Sequence, residues 1–153
     1  MIEDDWDAPI GLTLTTPART ITRGEAGVVN SLLWTTGPLH TDAGAARAAG
    51  FADLSLPAHV AAAVAGGLWA NSGLIDSLER DHGIRMLAIL ETRARYLHVV
   101  LVDDTVRLDV TLASATPSRS KPQRAVLVLE GDLVNQRGET AVKIEERILV
   151  ARA

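Results

Sequence analysis

Cysteine is absent from this chain of 153 residues, and aromatic residues make up only 3% of it. Without cysteine there is no disulfide framework, no thiolate nucleophile and no cysteine-based zinc site. Because 47% of the residues are hydrophobic but few are aromatic, the core must be built from alanine, valine, leucine and isoleucine. The length is enough for one domain with a core of its own.

The charge pattern limits the partners that the chain can have. Its formal net charge is -4, whereas a nucleic-acid surface needs a basic patch. The first ten residues are acidic and lack the basic start and apolar run of a secretory signal. The most apolar run, residues 54–68, is short for a membrane span and has polar interruptions. We therefore predict a cytoplasmic protein with no nucleic-acid or membrane partner, an acidic N-terminal arm over residues 1–10 and a single domain over residues 11–153.

The first part of the domain has the signals of a short strand followed by a helix. Residues 11–16 alternate apolar and polar side chains, as a strand does. Thr22 and Glu25 have the spacing of a capping box, in which each side chain pairs with the other residue's backbone amide. A helix is predicted from there to about Trp34. Its apolar residues are expected on the buried side: Val28, Val29, Leu32 and Leu33.

Two more helices are predicted next. Gly37-Pro38-Leu39-His40-Thr41-Asp42 is a turn that leads into a short helix over residues 43–49, which Asp42 or Thr41 caps and Gly50 ends. Pro57 stands where it can start the following helix. That helix, from residue 58 to about residue 78, is apolar almost all round, which predicts a buried helix with a sheet wrapped around it.

The second half of the chain has the pattern of an antiparallel sheet. Strands are predicted over residues 86–102, 105–112, 125–134 and 140–150. Asp103-Asp104 is the turn after which the second strand returns along the first. Asn135-Gln136-Arg137-Gly138 is a tight hairpin between the last two strands. One long helix against such a sheet is an α+β layer arrangement. Because this arrangement leaves apolar surface uncovered, at least a dimer is expected.

Acid and base chemistry falls to the four histidines and the carboxylates, since cysteine is absent. His40 precedes a capped helix, which predicts an imidazole at a helix N-terminus whose amides and dipole face the same pocket; satisfying a helix amide is the structural alternative. His59 lies in the first turn of the apolar helix, His98 in a strand and His82 in a polar linker. No pair has metal-ligand spacing and no phosphate loop is present, so neither a metal nor a cofactor is predicted.

Four motifs occur in order along the chain. They are Thr20-Ile21-Thr22 with the capped helix, Gly37 to Asp42 with Ala48-Ala49-Gly50-Phe51, Tyr96-Leu97-His98-Val99-Val100 with Asp103-Asp104-Thr105, and Asn135-Gln136-Arg137-Gly138-Glu139. Together they resemble the MaoC-like hydratases and dehydratases of the hotdog fold. The resemblance implies a long apolar helix wrapped by an antiparallel sheet, and a dimer of two such units. It also implies addition or removal of water at a β-hydroxyacyl or enoyl thioester of coenzyme A or an acyl carrier protein.

The resemblance assigns roles to particular positions. His40 falls on the family's catalytic histidine. Thr35 stands where the family has an aspartate that shares the proton transfer, and Gly37 stands where it has an asparagine. The family's oxyanion donor, a backbone amide at the start of the central helix, falls on Ala58, with His59 next to it.

Three functions remain open at this point. The first is an enzyme with His40 as the main acid and base and Thr35 or His59 positioning water or substrate; it would dehydrate or hydrate an acyl thioester, or catalyse a Michael-type addition or cyclisation of a polyketide-like molecule. The second is a non-catalytic partner subunit of a heteromeric enoyl-CoA hydratase, which makes a heterodimer an alternative to a homodimer. The third is a ligand-binding hotdog module. Trp34 and Trp69 are expected to line an apolar acyl pocket, or else to fill the core.

Overall fold

The computed structural model describes residues 6–152, so the first five residues of the predicted acidic arm lie outside the described residues. The helices are α1 Arg23–Leu32, α2 Pro38–Thr41, α3 Ala43–Ala48, α4 Ala58–Ala70 and α5 Leu74–His82. The strands are β1 Thr13–Thr15, β2 Arg19–Thr20, β3 Ile84–Tyr96, β4 Thr105–Pro117, β5 Arg124–Asn135 and β6 Thr140–Arg152.

One antiparallel sheet of six strands forms the main layer. Its order is β1-β4-β5-β6-β3, and β2 also pairs with β4. Buried and half-buried side chains alternate along β4, β5 and β6, so one face of the sheet packs on the core. Helix α4 lies against that face and contacts β4 and β6. The predicted α+β hotdog arrangement, a central apolar helix with an antiparallel sheet around it, is confirmed.

The pairing of the first two long strands differs from the prediction. The turn at Asp103 forms, with a positive φ of 66°, but β3 does not pair with β4. Instead β3 pairs with β6 at the opposite edge of the sheet. The chain leaves the sheet after Tyr96 and makes backbone hydrogen bonds with residues 54 and 56, from Leu56 N to Val100 O (2.8 Å) and from Val102 N to Leu54 O (2.9 Å). This crossing segment replaces the predicted hairpin.

The central helix is interrupted once. α4 ends at Ala70, and Gly73 adopts a left-handed conformation (φ 82°) before α5 begins. Five residues of α4 are buried: Val60, Ala61, Ala62, Ala65 and Trp69. Within the described residues, the stretch Ala58–His82 is the one helical region long and apolar enough to cross a membrane by length and composition, a property that core helices of water-soluble proteins share.

Helix α1 turns a different face inward than predicted. The capping box of Thr22 and Glu25 is present, but the buried residues are Ala26 and Asn30, while Leu32 is 78% exposed. Val28 and Leu33 are also exposed, and Val29 is half-buried. The physical reason is that small Ala26 packs in the core cluster and the Asn30 side-chain amide donates to the backbone carbonyl of His40 (3.1 Å). A specific polar contact therefore outweighs the apolar stripe.

Candidate active site

His40 lies in α2, two residues before the N-cap of α3. That cap is Asp42, whose Oδ1 accepts hydrogen bonds from the amides of Gly44 (2.7 Å) and Ala45 (3.2 Å). The prediction that Asp42 or Thr41 caps the short helix is confirmed for Asp42. The first amides of α3 are thus occupied. The prediction that His40 and free amides of this helix face the same pocket is therefore wrong for α3. An available helix N-terminus is found instead at α4.

The imidazole of His40 is oriented by Ser55. His40 Nδ1 lies 2.7 Å from the backbone carbonyl oxygen of Ser55. Because a carbonyl oxygen only accepts hydrogen bonds, Nδ1 carries the proton, and in the neutral ring Nε2 is left as the basic nitrogen. Ser55 also holds the α2 backbone, since its amide donates to Leu39 O (2.9 Å). The buried Ser55 therefore sets both the position and the tautomer of His40.

His40 lines two cavities. The first has a volume of about 360 Å³ and is called here the helix cavity, because it reaches the N-terminus of α4 at Ala58; Ser55, Tyr96 and His98 also line it. The second, called the threonine cavity, has a volume of about 510 Å³ and contains Thr35. His40 thus stands between the residue that the sequence suggested as its partner and the start of the central helix.

The N-terminus of α4 has two free donors, and Ala58, which carries one of them, lines the helix cavity. Its N-cap is Pro57, which provides no side-chain cap. The first α4 amide with a partner is that of Val60, which donates to Pro57 O (2.9 Å). Within residues 6–152 the amides of Ala58 and His59 donate no hydrogen bond. Two unpaired N–H groups at the positive end of a 13-residue helix form a site for a negatively charged oxygen.

The other predicted site residues lie in different places. Thr35 donates its amide to Asn30 O (2.9 Å) at the wall of the threonine cavity. Gly37 is the N-cap of α2, and a Cβ on it would lie 3.5 Å from His40 Cδ2, an ordinary contact distance. Trp34 is on the surface, 88% exposed, whereas Trp69 is in the core, 1% exposed. Neither tryptophan lines a cavity at His40.

A third cavity lies in the groove between α1 and α4 and is called here the apolar groove. It has a volume of about 550 Å³, and His59 lines it together with Val60, Val64 and Leu68, as expected of an acyl pocket. Glu25 stands at its wall, where hydrogen bonds from Thr22 and the ion pair with Arg19 lower the pKa of its carboxyl to about 2. His59 is therefore separate from His40, which the groove does not contain.

Four residues at His40 were not singled out as site residues from the sequence: Asn30, Ser55, Tyr96 and His98. Their signals are weak, since Ser55 shows only as a polar interruption of an apolar run and His98 reads as a strand residue. Ser55, Tyr96 and His98 come together through the crossing segment after β3, which no local pattern predicts, whereas Asn30 reaches His40 from α1. In the part of the chain that is described, no cluster of three or more metal-binding side chains occurs.

Comparisons with known proteins agree with this architecture. Residues 14–144 match the model of a family described as FAS1-like, dehydratase domain region. A comparison with curated proteins gave no significant match. Among solved structures, the MaoC-like dehydratase from Rhodospirillum rubrum is similar, with a TM-score of 0.80 and 24% identity over 96% of this chain and 95% of that one.

Two further structures are similar in fold. The monoamine oxidase regulatory protein from Archaeoglobus fulgius has a TM-score of 0.80 at 19% identity, over 95% of this chain and 92% of its own. The HadBC (3R-hydroxyacyl-ACP dehydratase) complex from Mycobacterium tuberculosis has a TM-score of 0.75 at 15% identity, over 94% of this chain and 98% of that one. At such low identity these likenesses establish the fold and leave the chemistry to the residues of the site.

Proposed function

Because the chain belongs to the FAS1-like dehydratase domain region family, we propose that it removes water from a β-hydroxyacyl thioester, or adds water to the enoyl thioester, in one domain over residues 11–153. The observation that carries this proposal is the helix cavity, which is lined by both His40 and Ala58, the residue with a free amide. A base and an oxyanion donor beside one cavity are what proton abstraction next to a carbonyl needs.

The geometry gives each group a role in dehydration. The thioester carbonyl oxygen accepts a hydrogen bond from the Ala58 amide, which stabilises the enolate as charge develops on that oxygen. His40 Nε2 takes the proton from the α-carbon, because Nδ1 is already committed to the Ser55 carbonyl. Leu56 lines both the helix cavity and the apolar groove along α4, and we assign the acyl chain to that groove. The same enolate also serves a Michael-type addition or cyclisation, so polyketide-like substrates belong to the same proposal.

The first experiment compares the wild-type protein with His40→Ala on a panel of substrates. The panel contains crotonyl and longer (3R)-hydroxyacyl thioesters, each on coenzyme A and on an acyl carrier protein, and an unsaturated polyketide-like thioester. His40→Ala is expected to reduce kcat by about a hundred- to ten-thousand-fold. The assignment would be overturned if the wild-type protein were inactive on all of these substrates, or if His40→Ala left kcat unchanged.

A second candidate function is supported by Thr35. A threonine hydroxyl at this position does not act as a carboxylate base, so the chain would instead be the non-catalytic half of a heteromeric hydratase. The similar HadBC dehydratase is itself a complex. Thr35→Asp separates the two functions. If the chain alone is active and Thr35→Asp changes kcat less than tenfold, the enzyme is favoured. Activity that needs a related chain, or that appears only with Thr35→Asp, favours the partner subunit.

We further propose that the working form is at least a dimer. β3 is 13 residues long and pairs on one side only within the described residues. Large apolar side chains are exposed along it: Leu87, Ile89, Leu90 and Tyr96. A long apolar edge strand is an unpaired row of backbone donors and acceptors, which a second copy or a related hotdog subunit can complete.

A further inference from the structure

We propose that His98 is the second proton-transfer group of this site, working with His40 across the helix cavity. This inference rests on the proposed dehydratase function and goes beyond it, because it names the group that protonates the departing hydroxyl. His98 does this in place of Thr35.

The first support is the shared cavity. His40, Ala58 and His98 line one space of about 360 Å³, whereas Thr35 lines the other cavity, away from the helix N-terminus. A substrate whose carbonyl oxygen lies at the Ala58 amide is therefore on the same side as both imidazoles. They are also the two imidazoles of this cavity, and imidazole is the side chain best suited to exchange protons near neutral pH.

The second support is the way the backbone holds His98. After β3 the amides of Leu97 and His98 both donate to the carbonyl of Ala141, at 2.9 Å and 3.2 Å. Two bonds to one acceptor anchor the chain where it leaves the sheet. Ala141 itself is fully buried at the start of β6. The imidazole therefore projects from a fixed point of the scaffold and not from a loose loop.

The third support is the charge around His98. The groups that face it are His40 from α2, Tyr96 from the end of β3 and Glu139 from the hairpin between β5 and β6. Hydrogen bonds from Asn135 and Arg137, together with the positive charge of Arg137 and an electrostatic contribution of His98, lower the pKa of Glu139. Glu139, which also pairs with the Arg137 guanidinium, is thus an anion within electrostatic reach of His98.

The dehydration step is balanced with these two groups. His40 Nε2 removes the proton from the α-carbon, and the electron pair of that C–H bond forms the double bond between the α- and β-carbons. The C–O bond at the β-carbon breaks, and the hydroxyl leaves as water after it receives a proton from the imidazolium of His98. The site ends with His40 protonated and His98 neutral, and proton exchange with solvent restores both. Hydration follows the same path in reverse.

The test measures dehydration of a (3R)-hydroxyacyl thioester by the variants His98→Gln and His98→Asn. The matched control is His82→Gln, because His82 lies outside the helix cavity, at the end of α5. Both His98 variants are expected to lose about a hundred-fold or more in kcat with little change in KM. They should also lose the alkaline limb of the pH–kcat profile, which reports a general acid. The control should keep both the rate and the limb.

A third variant, Glu139→Gln, tests the same assignment without touching the cavity's imidazoles. Removal of the neighbouring anion is expected to move the alkaline limb to lower pH while leaving the limb in place. If the wild type is active and His40→Ala is inactive, but the two His98 variants keep kcat within twofold and retain the alkaline limb, the role of His98 is overturned and the dehydratase assignment stands. Tyr96→Phe abolishing that limb would assign the proton to the phenol instead. A wild type inactive on every thioester overturns both.

Discussion

His40 is held by a backbone carbonyl and not by a carboxylate. The bond from Nδ1 to Ser55 O (2.7 Å) fixes the tautomer with Nε2 as the base. A neutral acceptor does this without adding a negative charge to the helix cavity. The Ser55 hydroxyl is also near, 3.1 Å from Nδ1, but it donates to Leu39 O (3.2 Å). In the proposed reaction the part of Ser55 that matters is therefore its main chain.

Ser55→Ala tests this division of roles. The substitution removes the hydroxyl and keeps the carbonyl, so kcat is expected to fall less than tenfold. The free energy of unfolding is expected to decrease by about 1 kcal/mol because one hydrogen bond is lost. Steady-state kinetics and chemical denaturation measure the two effects. A loss of a thousand-fold in kcat with unchanged stability would mean that the hydroxyl takes part in the reaction.

Glu146 is a second residue whose environment decides its chemistry. It lies on β6 beneath α4 and is 3% exposed. Thr92 Oγ1 donates to its Oε1 (3.2 Å), while Oε2 has no hydrogen-bond partner within the described residues. Burial raises the pKa of this carboxyl above its ordinary value, and Thr92 and the Trp69 indole offset part of the rise. The folded state therefore binds the Glu146 proton more tightly than the unfolded chain does.

The effect of Glu146→Gln on the melting temperature is expected to depend on pH, because the substitution removes the buried carboxyl group. Because the folded pKa is raised, the stabilising contribution of protonated Glu146 is complete below its unfolded pKa of 4.5 and is lost as pH rises through the folded pKa. The variant is expected to melt at a higher temperature than wild type at pH 7, with a smaller difference at pH 4. Glu130→Gln, at an exposed position of β5, is the control. A difference independent of pH would contradict the assignment.

At the scale of elements, α1 connects the N-terminal capping box to the active site. It starts at the pair Thr22 and Glu25, and Asn30 near its other end donates to the backbone of His40. Ala26 lies between them and faces both the apolar groove and the threonine cavity. The position of the helix start therefore influences the walls of two cavities.

Thr22→Ala is expected to destabilise the fold by about 1 kcal/mol, because the cap of α1 is lost. The matched control is Thr13→Ala, an exposed threonine of β1 whose side chain makes no hydrogen bond in the described structure. Denaturant unfolding measures both variants. Equal effects of the two substitutions would show that the capping box seen here contributes nothing to stability.

At the scale of the whole molecule, the proposed dimer would form at the free edge of β3. Leu90 is 55% exposed and lies at a break in the register with β6, where the strand bulges. Leu90→Glu is expected to shift the protein from dimer to monomer, since a charge on an edge strand opposes pairing. Light scattering coupled to gel filtration reads the mass. The control is Leu12→Glu, at an exposed position next to β1 at the other end of the sheet, and this variant should remain a dimer. A wild-type protein that is a monomer would contradict the proposed dimer.

The elements with strong local signals were predictable. The capping box at Thr22, the cap at Asp42 and the hairpin at Asn135 form as their sequences indicate, because each involves residues within four positions of one another. The inward face of α1 was not predictable. There the contact that decides the orientation joins Asn30 to His40, and hydrophobic periodicity carries no information about a specific polar partner.

The sequence by itself determined the α+β class, the apolar central helix and the location of His40 just before the helix cap at Asp42, since composition, periodicity and short motifs suffice for these. Only the tertiary structure decided which strands are neighbours, that β3 lies beside β6, and which groups surround His40. The physical reason is the crossing segment after Tyr96. Its backbone hydrogen bonds join positions more than forty residues apart, to residues 54 and 56 on one side and to Ala141 on the other. Such pairings depend on the packing of the whole sheet around α4, and through them Ser55, Ala58 and His98 reach one cavity.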